Sequence, residues 1–120
     1  MAKTMRVRNL SRDADLAAAA TVADSFWRRL RGLLGRDGLS GGEGLVIVPC
    51  TSVHMLGMKF PLDVLHLDRA GTVLRVLPEL QPGQFGPMVW RSHLAVELPA
   101  GTIAATGTAV GDTVVLEPAA

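Results

Sequence analysis

The chain of 120 residues contains one cysteine and no tyrosine, with only three phenylalanines and two tryptophans. A single cysteine excludes an internal disulfide, so the fold does not depend on an oxidising compartment. So few aromatic rings leave little surface on which the bases of a single-stranded nucleic acid could stack. These shortages exclude a small disulfide-stabilised scaffold and disfavour a base-stacking surface.

An excess of charge of one sign is also missing, because twelve basic residues face eleven acidic ones and the net charge is +1. This balance gives no general attraction for DNA or an anionic membrane. No apolar run approaches the roughly 20 residues that span a bilayer. Residues 16–23 loosely resemble the apolar core of a signal peptide, but Asp13 and Asp15, just before them, interrupt the signal-peptide pattern. We therefore expect a cytoplasmic protein without a membrane span and without DNA as a partner, and the oligomeric state stays open.

What is present is an ordinary globular composition, with 48% hydrophobic and 19% charged residues. A chain of this length is the size of one domain, so we assign residues 1–120 to a single domain. Thirteen glycines and seven prolines predict many turns.

Short apolar or alternating segments between turn residues predict strands. The predicted strands are residues 5–10, 16–23, 45–48, 62–68, 72–77, 93–99 and 113–117. Residues 62–68 are apolar on both faces, so we expect this strand to be central and to pair with 72–77. In residues 93–99 the alternation places Glu97 on the outward face. The pattern predicts a mainly β fold, a small single-domain β-barrel or sandwich with one or two short helices.

Residues 24–35 give the clearest helix pattern, and residues 100–107 suggest a helical turn. Asp24 or Ser25 is the expected N-cap, and Gly35 is the expected end. Phe26 and Trp27 belong to the apolar face and are expected in the core. The helix also carries a cluster of arginines, which either forms a solvated face or contacts RNA or an acidic partner. The cluster consists of Arg28, Arg29, Arg31 and Arg36.

Residues 50–68 gather the residues that could perform chemistry. Cys50, His54 and His66 could hold zinc, but there is no C-x2-C or H-x3-H pair and no second cysteine. We therefore predict no metal and no cofactor. A hydrolase could use His54 and Asp63 with Cys50 or a metal, although no G-x-S-x-G motif is present.

Asp63 stands on a strand that is expected to be covered, and a buried carboxylate needs a partner. The expected partner is Lys59 or Arg31, so that Asp63 would anchor the segment 54–61; the alternative is a cap on backbone N–H groups. A functional interpretation places Asp63 and His54 at the rim of a cleft that recognises a polar ligand. The long loop 78–88, with Phe85 and Met88, is either a binding edge or an ordinary crossover.

Four segments in order carry a resemblance: RGLLGR (31–36), SVHMLGMKFPLDVLHLD (52–68), VELPAG (96–101) and VGD (110–112). Together they resemble the family called domain of unknown function 192, over about residues 5–117. The resemblance implies a compact, mainly β fold with short helices and implies no known activity. This chain has Leu56, Gly57 and His66 where the family has aromatic residues, so a pocket lined by those aromatics would be altered here.

Three functional hypotheses follow. The first is a non-catalytic binding module for a small polar ligand or a peptide. The second is a hydrolase-type enzyme that uses His54 and Asp63. The third is a protein- or RNA-interaction domain that uses the arginine-rich helix. The candidate site residues are His54, Lys59, Asp63, His66 and Arg31.

Overall fold

The computed structural model describes residues 3–119, in which seven strands and two short helices follow one another. They are β1 (Thr4–Asn9), β2 (Ala14–Ala23), α1 (Phe26–Arg31), β3 (Glu43–Ile47), β4 (Leu62–Leu67), β5 (Val73–Leu80), β6 (Leu94–Pro99), α2 (Thr102–Thr106) and β7 (Val114–Pro118). The strands form one sheet in the order β5-β4-β6-β3-β2-β1-β7. Only β2 and β3 pair in parallel. The expected mainly β fold with two short helices is confirmed.

The sheet curls into a half-barrel, which brings its two outer strands into contact. The N–H of Val114 donates to the carbonyl of Gly71 over 2.8 Å, and the N–H of Val73 donates to Asp112 over 2.9 Å. The concave side encloses the larger apolar core, to which residues such as Val7, Leu65 and Val96 contribute. Curling therefore provides an interior without a second sheet.

Strand β4 lies between β5 and β6, and all six of its residues are buried. Leu65 belongs to the concave core, whereas Leu62 and Val64 belong to a second cluster on the outer side of the sheet. This arrangement confirms the prediction of a central strand paired with the following one. The near-continuous apolar sequence is the local cause, because a strand covered on both faces has no solvent-facing side.

The segment between β3 and β4 covers the outer side of the sheet. Val53 and Met55 from this segment pack with Leu33, Leu45 and Val64 in the outer cluster. This cover is made by an irregular chain rather than by a helix, and it leaves cavities at its edges. The candidate site lies at one of them.

Helix α1 is shorter than predicted and lies outside the core. The Ser25 hydroxyl accepts a hydrogen bond from the N–H of Arg28, which confirms the expected cap, but the helix ends at Gly32 rather than Gly35. The expectation that Phe26 and Trp27 are core residues is wrong, because they are 63% and 74% exposed. The segment after β3 already occupies the sheet face that such residues would need. Within residues 3–119, neither helix has the length and apolar character that would let it cross a membrane.

Two further expectations need correction. Glu97 does not face outward; β6 lies between β3 and β4, and both of its faces are covered. Strand β5 continues through Glu79 to Leu80, so the long loop begins later than residue 78. Alternation in the sequence showed which residues share a face, but not whether the second face was also covered.

Candidate functional site

A cavity of about 250 Å³ opens between the end of α1 and the segment that follows β3, and we call it the Glu97 cavity. It is lined by residues 29–34, Ile47, residues 49–54, Leu56, Met58 and Glu97. Its volume lies just below the range of about 300–1,000 Å³ that is typical of sites for drug-sized ligands. The cavity is therefore large enough only for a small molecule or for one side chain of a larger partner.

Glu97 is the most unusual group in this cavity. Its side chain lies on β6 between Leu45 of β3 and Val64 of β4, which are its direct neighbours across the sheet. The residue is only 5% exposed, and within residues 3–119 its carboxylate forms no hydrogen bond. Buried carboxylates are normally paired, because an unpaired one loses its hydration without compensation. The carboxylate of Glu97 thus has no donor among the described residues, and it faces a cavity.

Burial raises the pKa of Glu97 to about 7. The apolar neighbours on both adjacent strands disfavour the ionised form. A strongly perturbed carboxyl group in a cleft is a physical indicator of a functional site, because structural carboxylates are usually stabilised in their charged form.

Cys50 lies on the wall of the same cavity and is half-buried. Its Sγ donates to the carbonyl of Ser52 over 3.1 Å. Burial raises the pKa of the Cys50 thiol, and the proximity of Glu97 adds to the increase. The thiol is therefore held in its neutral form, which is the opposite of what a nucleophilic cysteine requires.

His54 and Arg31, two of the predicted site residues, line the Glu97 cavity. The Nδ1 of His54 accepts a hydrogen bond from the N–H of Leu56 over 3.3 Å, and the ring lies 6.4 Å from the ring of Phe85. Arg29 also lines the cavity, and its guanidinium donates to the carbonyls of Asp24 and Val48. These side chains belong to the same cavity lining as Glu97.

Asp63 is completely buried and does not line the cavity. Its two oxygens accept hydrogen bonds from the N–H groups of Glu79, over 2.8 Å, and Ile103, over 2.7 Å. The expected ion pair with Lys59 or Arg31 is wrong, and so is the anchoring of segment 54–61. The alternative of a cap on backbone N–H groups is confirmed. Backbone donors can supply the hydrogen bonds that a buried carboxylate needs without a cation.

The other two predicted residues lie away from the cavity. Lys59 is exposed and pairs with Asp37 over 3.3 Å, as is common for a surface lysine. His66 is fully buried, and its Nδ1 lies 2.8 Å from the Ser92 hydroxyl, which also lies 2.7 Å from the carbonyl of Cys50. Burial lowers the pKa of His66, with a further contribution from Arg75. His66 thus belongs to an internal polar contact that supports the segment carrying Cys50.

Metal ligation would need several donors close together. In the part of the chain that the structure describes, no three His, Cys, Asp or Glu side chains lie close enough to hold an ion. Cys50 and His54 share the Glu97 cavity, whereas His66 is not part of its lining. The three residues with suggestive spacing in the sequence therefore do not meet.

A second cavity of about 280 Å³ lies across the end of α1 and is lined by Arg28, Arg31, Arg36 and Glu43, among others. Its carboxylate is already used, because Glu43 accepts hydrogen bonds from the Arg36 guanidinium and the N–H of Ser40. These bonds, first that from Ser40, lower the pKa of Glu43. Because its carboxylate already has hydrogen-bond donors, this cavity is the weaker candidate.

Sequence reasoning missed Glu97 as a site residue, although a signal was present. The strand around it, LAVELP, has apolar residues on both faces, which indicates burial on both sides and makes a charged residue there exceptional. Among the departures from the family pattern, Leu56 does line the cavity, whereas His66 does not.

Comparisons with known proteins identify a family and a fold. The profile of the family called domain of unknown function 192 (DUF192), described as "Uncharacterized ACR", matches residues 7–116. A protein of unknown function from Novosphingobium aromaticivorans has a similar structure, with a TM-score of 0.81 at 20% identity, covering 95% of this chain and 84% of that one. A protein from Sinorhizobium meliloti described as a "putative transcription regulator" has a TM-score of 0.79 at 23% identity, covering 97% of this chain and 94% of that one. None of the curated proteins matches the chain significantly.

Proposed function

We propose that this chain, which belongs to the DUF192 family, is a non-catalytic binding module for a small polar ligand or a peptide. The description of the family assigns no activity, so the proposal rests on the site. The observation that carries the proposal is the unsatisfied carboxylate of Glu97 in an open cavity. A protein loses stability by burying such a group, and a ligand that donates hydrogen bonds to it would recover part of that loss.

Binding is favoured over catalysis because the other polar groups of the cavity are not arranged as a reacting set. The thiol of Cys50 has a raised pKa and is bonded to a backbone carbonyl. A hydrolase that uses His54 and Asp63 is disfavoured, because both oxygens of Asp63 are bonded to backbone N–H groups and the side chain is outside the cavity. Nucleophilic catalysis would need a base next to the nucleophile.

The test is an NMR titration of the ¹⁵N-labelled protein with small polar compounds in three groups: cations, anions and neutral molecules. We expect at least one group to shift amide signals in residues 31–34 and 50–54, which line the cavity. Glu97→Gln should weaken or abolish these shifts, whereas Glu117→Gln, a change on β7, should leave them intact. Shifts confined to other surfaces, or none from any group, would contradict the proposal.

A second candidate function is a protein- or RNA-interaction domain that uses α1. The exposure of Phe26 and Trp27 beside Arg28 and Arg29 favours it, because apolar side chains exposed together often mark an interaction surface. Retention on immobilised RNA that falls by orders of magnitude between about 50 and 200 mM salt would support the RNA form. Equal retention by the wild type and an Arg28→Ala/Arg29→Ala/Arg31→Ala variant would exclude it.

A further inference from the structure

We infer that the ligand of the Glu97 cavity presents a primary ammonium group on a short apolar stem, and that this ammonium binds the carboxylate of Glu97. The inference rests on the proposed function and specifies the chemical class of the ligand. It follows from the floor of the cavity, its walls, its size and the positions of its arginines.

The floor of the cavity is an acceptor without a donor. An ionised carboxylate offers two oxygens and no proton, so its complement is a group that has several N–H donors. Hydrogen bonds between charged groups are roughly twice as strong as neutral ones, and the low polarity around Leu45 and Val64 strengthens them further. A cationic donor therefore fits the carboxylate of Glu97 better than a neutral hydroxyl does.

The protein does not supply that cation itself. Arg29 and Arg31 line the cavity together with Glu97, but within residues 3–119 neither guanidinium forms a hydrogen bond or ion pair with its carboxylate. The guanidinium of Arg29 is also occupied by two backbone carbonyls. Because both arginines line the cavity, a second positive charge on the ligand would be repelled. The cavity thus favours a monocation over a diamine.

Apolar side chains form about half of the lining of the cavity. They include Leu30, Leu33, Leu34, Ile47, Val53, Leu56 and Met58. Such walls suit a hydrocarbon stem, and the volume of about 250 Å³ limits its length. A butylammonium group has this form, and it occurs both as a free alkylamine and at the end of a lysine side chain. The common chemistry is the ammonium on its stem, and the experiment separates the two sources.

The first measurement is an NMR titration with butylamine, 1-butanol and butyrate at pH 8. We expect butylamine to shift the amide signals of residues 31–34 and 50–54 and to bind at least tenfold more tightly than the other two compounds. It should also bind more tightly than 1,4-diaminobutane. Glu97→Gln should reduce the affinity at least tenfold, and Glu117→Gln should not change it.

N-acetyl-lysine methylamide, with its norleucine analogue as the matched control, tests the peptide source. Tighter binding of the blocked lysine assigns the site to a peptide, and tighter binding of butylamine assigns it to a free amine.

The second measurement follows the affinity for butylamine as the pH changes. Butylamine affinity should rise about tenfold between pH 6 and pH 8, as Glu97 ionises around its pKa of about 7. The other charged or titratable groups that line the cavity are Arg29, Arg31, Cys50 and His54. The rise should persist in His54→Gln, because it depends on the ionisation of Glu97.

Four outcomes contradict the inference, and the first two differ in what they say of the proposed function. If butanol or butyrate binds in the cavity and the amines do not, the ammonium assignment is wrong while the binding function stands. If no compound of any class shifts the cavity signals, both are wrong. An affinity for butylamine that is independent of pH, or equal in the Glu97→Gln variant, also excludes an ion pair with Glu97.

Discussion

The carboxylate of Asp63 in β4 accepts a 2.7 Å hydrogen bond from the backbone N–H of Ile103, forty residues later in α2. Its other oxygen accepts the N–H of Glu79, near the end of β5. Gly101, which precedes α2, has no side chain to cap the helix. Asp63 therefore caps it from a different strand and ties the end of the hairpin to the helix.

We expect Asp63→Ala to lower the free energy of unfolding by about 2–6 kcal/mol, because it leaves two backbone donors without an acceptor, each worth about 1–3 kcal/mol. Asp63→Asn, which retains one acceptor oxygen, should lose less. Urea denaturation of both variants measures the difference. A loss below about 0.5 kcal/mol for Asp63→Ala would show that water replaces the carboxylate.

Glu97 should make stability depend on pH in a defined direction. Its pKa is raised in the folded state to about 7 from 4.5, so the native protein binds the proton more tightly. The contribution of Glu97 to the free energy of unfolding is fully present below pH 4.5 and is lost as the pH rises through about 7. The total loss is about 3 kcal/mol. The Glu97→Gln variant should therefore be as stable as the wild type near pH 4 and more stable than the wild type above pH 8. Denaturation curves at several pH values check this, and parallel pH profiles would contradict it.

Asp112 should give the opposite dependence at lower pH. Hydrogen bonds from Arg12, then from Asn9 and from the N–H of Ala109, lower the pKa of Asp112 to about 2. A lowered pKa gives stability that is present above about pH 4 and is lost as the pH falls towards 2. Asp112→Asn should melt at a lower temperature at pH 7, and the difference should shrink between pH 4 and pH 2. Asp37→Asn, a change at an exposed carboxylate, is the control and should leave the melting temperature nearly unchanged.

Gly71 allows the two outer strands of the sheet to meet. Its φ is +86°, and a Cβ added there would collide with the carbonyl oxygen of Val114, whose N–H bonds to the carbonyl of Gly71. Gly83 has a similar φ of +83° but open space around it. Gly83→Ala should cost only the backbone strain of about 1–2 kcal/mol, and Gly71→Ala clearly more. Equal losses in chemical denaturation would show that the contact between the outer strands adjusts freely.

The exposed position of Trp27 can be checked by a substitution. Trp27→Ala should change the free energy of unfolding by less than about 0.5 kcal/mol, as surface substitutions usually do. Truncating a core tryptophan would cost about 3–5 kcal/mol. The emission of tryptophan in the Trp90→Phe variant, in which Trp27 is the remaining tryptophan, should also be typical of a solvated indole. A large loss of stability would place Trp27 in the core after all.

The sequence predicted the strands of this protein because their signals are local. Alternation, apolar runs and turn residues lie within a few positions of one another, so β4 could be recognised and paired with β5 from residues 62–77 alone. The N-cap at Ser25 and the helical turn that became α2 were equally local. The family resemblance extended this prediction to nearly the whole chain.

Only the tertiary structure decided which faces are covered and which groups meet. The buried carboxylate of Asp63 needs hydrogen-bond donors. Its donors are the N–H groups of residues 79 and 103, whose positions no spacing rule in the sequence relates to Asp63. Glu97 became a buried, unsatisfied carboxylate because β6 lies between two strands and beneath a cavity wall from α1. Trp27 is exposed, and Val53 and Met55 from another segment pack on the outer side of the sheet instead. Local patterns fix the direction of a side chain, whereas its surroundings depend on contacts between distant parts of the chain.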